Sequence, residues 1–192
     1  MKKIYIVLTH TGTILSKIIK YWTKDEFSHV SIALDEDLKE MYSFGRLHPY
    51  NPIIGGFVHE KINKGTFKRF YKTKASIYSI EVEDNQFNNL KNIIYRIRDN
   101  KKQYKFNIIG LLAIGFKKEI KKQNYFYCAE FVKYVLEKSD INLRLPKKMI
   151  RPEDFKYIEN KVLEYDGLLR RYKKKSILKE YIECLNYKNK VV

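Results

Sequence analysis

The stretch from Tyr125 to Lys138 constrains the fold of this chain more than any other part of its sequence. Its apolar side chains recur at the i, i+3, i+4, i+7, i+8 spacing of one helical face. The residues on that face are Cys128, Phe131, Val132, Val135 and Leu136. The charged residues between them are predicted to face solvent, and these are Glu130, Lys133, Glu137 and Lys138. The pattern predicts an amphipathic helix whose buried face begins with a cysteine.

A cysteine in that position has two interpretations. The unpaired backbone N–H groups and the macrodipole of a helix N-terminus favour negative charge, so a thiol there tends toward the nucleophilic thiolate. The same N–H groups can stabilise an oxyanion. A free cysteine is also among the most buried residue types and often packs as a small apolar side chain. Cys128 is therefore a candidate nucleophile, with simple packing as the alternative.

A second stretch, from Phe27 to Leu34, places a histidine at the start of an alternating strand. Successive side chains point to opposite faces of a strand, so His29 shares one face with Ser31 and Ala33. These small residues would let a helix approach closely. We therefore expect the cysteine helix to pack on that face.

The acidic segment 35–37 has the turn chemistry of a hairpin and predicts a second strand at 39–44. In the simplest register, the residue directly opposite the histidine is Ser43. A slip of one residue would bring Tyr42 or Phe44 there instead.

Two short motifs carry a family resemblance, and they occur in the order Ser28-His29-Val30-Ser31-Ile32, then Tyr127-Cys128-Ala129-Glu130-Phe131-Val132. As a pair they resemble the circularly permuted NlpC-like cysteine hydrolases of the papain-like superfamily. The branch is the YiiX-like one, related to lecithin:retinol acyltransferase. The resemblance extends from about Ile4 to Pro152. It implies an α+β, papain-like fold in which an antiparallel sheet packs against the helix that bears the nucleophile.

The resemblance also implies site residues. Cys128 would attack an amide or ester carbonyl, and His29 would transfer the proton. The branch commonly carries a glutamate on the second strand, within a Tyr-Glu-Ala-like tripeptide, to orient the histidine. The aligned tripeptide here is Tyr42-Ser43-Phe44, so Ser43 is the predicted third member, although it brings no negative charge.

Four further residues are predicted to border the substrate, namely His10, Tyr42, Arg46 and Tyr127. For His10 a surface turn is the alternative, and for Arg46 an exposed loop without a ligand. Relatives in this superfamily act on peptides or on lipid acyl groups, so we expect a small peptide or a lipid acyl substrate. The sequence holds no cysteine and histidine cluster of the kind that binds zinc, and we predict neither a metal nor a cofactor.

Charge supports a second class of function. The chain has 39 Lys and Arg against 22 Asp and Glu, a formal charge of +17. That excess favours acidic partners such as nucleic acid or an anionic membrane surface. A solvated lysine-rich surface without a partner is the alternative. The rival to an enzyme is thus a non-catalytic basic binding protein in which the cysteine and the histidine only pack.

At 192 residues the chain fits one domain with a sizeable core. We predict a catalytic domain over 1–160 and, over 161–192, a C-terminal extension packed on the same domain. Within the extension, Asp166-Gly167 has the composition of a hairpin turn, and 176–187 is predicted to be a helix.

The first apolar run, Ile4 to Leu8, is too short for a signal peptide and is predicted to be a strand. The run from Ile108 to Phe116 is predicted to be a helix, either buried or interfacial, far below the roughly twenty residues that span a bilayer. The two cysteines, Cys128 and Cys184, are far apart and predict no disulfide framework. We expect a cytoplasmic protein, free or peripheral to the membrane.

Overall fold

The computed structural model describes residues 1–12, 24–116, 118–146 and 148–172, apart from the side chains of residues 52, 53 and 116. In chain order the strands are β1 (Lys2–His10), β2 (His29–Ala33), β3 (Met41–His48), β4 (Asn51–Glu60), β5 (Lys74–Val82), β6 (Lys105–Phe106), β7 (Tyr125–Phe126) and β8 (Lys161–Leu168). Six of them form one antiparallel sheet in the order β4-β3-β2-β1-β5-β8. The short strands β6 and β7 pair in parallel.

Four α-helices lie wholly within the described residues: α1 (Gly65–Arg69), α2 (Asp84–Asp99), α3 (Ile108–Ala113) and α4 (Cys128–Glu137). Residues 169–172 are also helical, and 3-10 segments lie at Lys101–Gln103, Ile114–Phe116 and Pro152–Tyr157. The architecture is therefore mixed α+β, with a six-stranded antiparallel sheet. In the described parts, every helix falls short of the length and apolar character needed to cross a bilayer.

The predicted cysteine helix is confirmed, and it packs on one face of the sheet. All five residues of its predicted apolar face are buried. They join a core with Val30 and Ile32 of β2, and the rings of Phe44 and Phe131 lie 5.2 Å apart. The opposite face of β2 belongs to a second core that contains Ala33. We expected the helix to pack on the face of β2 that carries Ser31 and Ala33. This expectation is wrong, because α4 packs on the opposite face, against Val30 and Ile32.

The hairpin between β2 and β3 has a longer loop than predicted. The backbone N–H of Leu34 donates to the carbonyl of Glu40 at 3.1 Å, and Ile32 pairs with Tyr42. Continuing this register places Gly45, and not Ser43, opposite the histidine. Ser43 lies on the predicted face of the sheet, but the strand register differs by two residues, so it lies opposite Ser31 and not opposite His29.

The predicted hairpin turn at Asp166-Gly167 is wrong, since both residues lie within the continuous strand β8. Gly167 pairs with Ala75 of β5, and Asp166 Oδ2 accepts a hydrogen bond from Ser76 Oγ at 2.9 Å. This pairing with β5 extends the sheet by one edge strand, so the start of the predicted extension is part of the main sheet. The predicted terminal helix and Cys184 lie outside the described residues.

Candidate active site

Cys128 and His29 each begin a regular element. Cys128 is the first residue of α4, and His29 is the first residue of β2. The two side chains lie near each other at this end of the sheet, close enough for Cys128 to raise the pKa of His29. Cys128 is 4% exposed, and the side chain of His29 is 19% exposed. Two residues about a hundred positions apart in sequence thus interact in the fold.

A carboxylate lies at the other side of the imidazole. His29 Nε2 is 2.9 Å from Oε1 of Glu60, the last residue of β4. The second carboxylate oxygen, Oε2, accepts a hydrogen bond from the Ser31 hydroxyl. The imidazole therefore interacts with both a cysteine and a carboxylate.

Gly45 provides the room for this arrangement. A Cβ at that position would lie 3.3 Å from Cε1 of His29 and 3.8 Å from Oε1 of Glu60. The first separation is tighter than ordinary van der Waals contact and the second is not, so a side chain here would press on the imidazole ring. The glycine lets a residue of β4 reach past β3 to the histidine of β2.

The surroundings of His29 strongly favour its charged form. Burial disfavours the imidazolium and is the largest single influence on the pKa of His29. The charges of Glu60 and Cys128, together with hydrogen bonds to both, outweigh burial and raise that pKa to about 10. The imidazole is therefore protonated at neutral pH, which is the state needed to donate a proton.

Ser43 occupies a different position from the one expected. Its hydroxyl donates to the carbonyl of Val30 at 2.7 Å, and the residue is fully buried. The structure places Glu60, and not Ser43, beside the ring of His29. Glu60 was missed because it lies on the third strand of the meander, beyond the predicted hairpin. The sequence feature that could have indicated it is an acidic residue at the end of a strand that contains Gly55 and Gly56.

Two of the predicted substrate residues lie in the protein interior. Tyr42 is 1% exposed and its ring stacks on that of His59 at 4.8 Å. Tyr127 is 3% exposed, its hydroxyl donates to the carbonyl of Ile150 at 2.9 Å, and burial raises its pKa. Both side chains belong to the core that packs against the cysteine helix.

The other two predicted substrate residues are less buried. His10 ends β1, with Nδ1 3.4 Å from the Ser28 hydroxyl. Arg46 is half-buried, and burial lowers its pKa. It lines a pocket of about 290 Å³ that Glu60 also lines. Of the four residues, Arg46 is the one that shares a cavity wall with a residue of the Cys128 and His29 cluster.

The segment leading to His29 is held by a distant carboxylate. Glu153, in the 3-10 segment at Pro152–Tyr157, accepts hydrogen bonds from the backbone N–H groups of Glu26 at 3.1 Å and Phe27 at 3.0 Å. The next residue, Ser28, donates its N–H to the carbonyl of Thr9 on β1. These contacts fix the backbone immediately before the histidine.

Among the described residues, no group of three or more histidine, cysteine, aspartate or glutamate side chains is arranged to hold a metal ion. No protein-family model matches the chain, and no curated protein is similar to it at a significant level.

Proposed function

We propose that this chain is a cysteine hydrolase or acyltransferase that cleaves an amide or ester bond through Cys128, His29 and Glu60. The observation that carries the proposal is an imidazole that interacts with both a cysteine at a helix N-terminus and a carboxylate that is only 10% exposed. A nucleophile, a base in contact with it and a third group that orients the base are the parts that thiol catalysis requires. We further propose that the fold is the permuted papain-like one of the YiiX-like branch.

In the proposed reaction, the Cys128 thiolate attacks the carbonyl carbon of the substrate, and the carbonyl oxygen becomes an oxyanion. The backbone N–H of Cys128, at the first turn of α4, is the candidate donor to that oxyanion. When the intermediate collapses, the imidazolium of His29 gives its proton to the leaving amine or alcohol. An acyl thioester remains on the sulfur.

The second half-reaction releases the acyl group. His29, now neutral, takes a proton from water or from an acceptor hydroxyl or amine, which attacks the thioester carbon. The sulfur leaves as thiolate and the imidazolium is restored. Glu60 keeps the ring in place through both halves and compensates its positive charge, which a serine could not do. The substrate class is a small peptide or a lipid acyl group.

The direct test is intact-mass detection of an acyl adduct after incubation with pooled acyl esters and peptide amides. We expect a mass increase in the unmodified chain and in Cys184→Ser, and none in Cys128→Ala. His29→Ala should form the adduct far more slowly. An adduct that persists in Cys128→Ala, or the absence of any adduct from every donor class, would contradict the proposal.

The excess positive charge supports the second candidate, a basic protein that binds nucleic acid or an anionic membrane without turnover. Binding that rests on charge alone releases counterions and weakens steeply with salt. Titration of a mixed-sequence duplex at two salt concentrations separates the candidates. Binding that persists at high salt and is unchanged in Cys128→Ala would favour the second one.

A further inference from the structure

A partly buried polar network lies at the start of α4, outside the cluster formed by Cys128, His29 and Glu60. It consists of Asn107, which precedes α3, and Glu130, which lies in the first turn of α4. Asn107 is only 4% exposed. The sequence pattern assigned Glu130 to the solvent side of the helix, whereas the structure shows it half-buried, because its carboxylate turns back toward the helix N-terminus.

Asn107 makes three side-chain hydrogen bonds within the protein, and both N–H groups of its amide are used. Its Oδ1 accepts from the backbone N–H of Gly110 at 2.9 Å. Its Nδ2 donates to the carbonyl of Ile120 at 2.9 Å and to Oε2 of Glu130 at 3.3 Å. An aspartate of the same shape could make neither donation. The requirement at this position is therefore for an amide and not only for a side chain of this size.

Gly110 is part of the same arrangement. A Cβ there would lie 2.2 Å from Nδ2 of Asn107, a distance that no folded protein tolerates. The glycine lets the amide pack directly against the first turn of α3. The network thus requires an amide at Asn107 and the absence of a side chain at Gly110.

Glu130 connects this network to the nucleophile. Its Oε2 accepts a hydrogen bond from the backbone N–H of Tyr127 at 3.1 Å. Burial raises the pKa of Glu130, and the hydrogen bonds from Tyr127 and Asn107 oppose that rise. The Tyr127 N–H lies one peptide before the N–H of Cys128, so this hydrogen bond fixes the backbone immediately before the residue that carries the thiol and the candidate oxyanion donor.

From these contacts we infer that Asn107 and Glu130 are positioning residues that hold the first turn of α4 so that Cys128 faces His29. The inference rests on the proposed function. Neither residue contacts the reacting atoms. Asn107 holds the carboxylate of Glu130, and this carboxylate holds the backbone before the nucleophile.

The test measures the rate of Cys128 alkylation by iodoacetamide as a function of pH, in a Cys184→Ser background and without any substrate. We expect Asn107→Asp and Glu130→Ala to slow alkylation at pH 7 by about tenfold, because a small displacement of the sulfur weakens its contact with the imidazole. Glu130→Gln keeps an acceptor for Tyr127 and should remain within about twofold of the parent. Circular dichroism confirms that each variant is folded.

Two matched controls accompany these variants. Asn92→Asp changes an exposed asparagine of α2, and Glu137→Gln changes an exposed glutamate at the far end of α4. Both should alkylate as the parent does. If folded Asn107→Asp and Glu130→Ala react at the parent rate, the inference is overturned. If the parent itself reacts no faster than its His29→Ala variant, the proposed function fails instead.

Discussion

Ser31 donates its hydroxyl hydrogen bond to Oε2 of Glu60, the carboxylate oxygen that His29 does not use. Both oxygens of Glu60 are thus bound by side chains of β2, although β3 separates β2 from β4 in the sheet. The carboxylate is 10% exposed, so little water competes with these bonds. A carboxylate fixed at both oxygens can hold the imidazole in one orientation.

Replacing Glu60 should therefore reduce turnover strongly. Glu60→Gln preserves the shape but removes the charge that pairs with the imidazolium, and we expect kcat/KM to fall by about 10²- to 10⁴-fold. Steady-state hydrolysis of a reactive ester or amide measures the loss. The control is Glu81→Gln, an exposed position on β5, which should retain activity. Equal activity of Glu60→Gln and the parent would remove Glu60 from the mechanism.

The two serines on the histidine face of the hairpin should behave differently. Ser43→Ala removes a buried hydrogen bond to the Val30 carbonyl and should cost about 1 kcal/mol of unfolding free energy. It should leave the pH profile of kcat unchanged. Ser31→Ala frees one oxygen of Glu60 and should alter that profile. Urea unfolding and a pH series on both variants check this, and a shifted profile in Ser43→Ala alone would contradict the assignment.

The pKa of His29 predicts a stability change on the alkaline side. The pKa is about 10 in the folded chain, against about 6.5 for an unperturbed histidine. Because the folded chain binds this proton more tightly than the unfolded chain, the charged His29 stabilises the fold. The full contribution is present below about pH 6.5 and is lost as the pH rises through about 10. The difference in unfolding free energy between the parent and His29→Gln should therefore shrink from pH 6 to pH 10. The comparison with His29→Gln cancels the tyrosines and lysines that titrate in the same range. A difference that grows with pH would contradict the charged pair.

Local periodicity predicted the elements well, because short-range patterns determine which side chains can be buried. The apolar face of α4 and the strand beginning at His29 followed directly from spacing. Pairing between strands was harder to predict. The loop after β2 is longer than its acidic turn suggested, which moved Gly45 opposite His29 and left Ser43 bonded to a backbone carbonyl.

Glu60 could not be predicted from alternation alone. Its contact with His29 depends on the register of two successive strand pairs and on a missing side chain at Gly45. Each of these is a long-range property that a one-residue slip would destroy. Glu130 was misassigned for a related reason. Helical spacing predicted that its side chain faces solvent. In the structure its carboxylate turns back and accepts a hydrogen bond from the Tyr127 N–H at the start of the helix.

Glu153 gives a last prediction about how the histidine is held. Its carboxylate accepts two backbone hydrogen bonds from Glu26 and Phe27, more than a hundred residues earlier in the chain, and the residue is 7% exposed. Hydrogen bonds to a charged group contribute about 1.5–3 kcal/mol each, and loss of the carboxylate leaves the buried amide of Phe27 unsatisfied. We expect Glu153→Ala to lower the unfolding free energy by roughly 2–4 kcal/mol by urea denaturation.

The matched control is Glu159→Ala, whose side chain is 62% exposed and pairs with Arg144 at the surface. Surface ion pairs contribute little, so this variant should lose less than about 1 kcal/mol. Because Glu153 acts on the backbone before His29, we also expect Glu153→Ala to slow Cys128 alkylation in the protein that remains folded, while Glu159→Ala does not. Equal losses of stability in the two variants would show that the carboxylate of Glu153 does not anchor the segment that leads to the histidine.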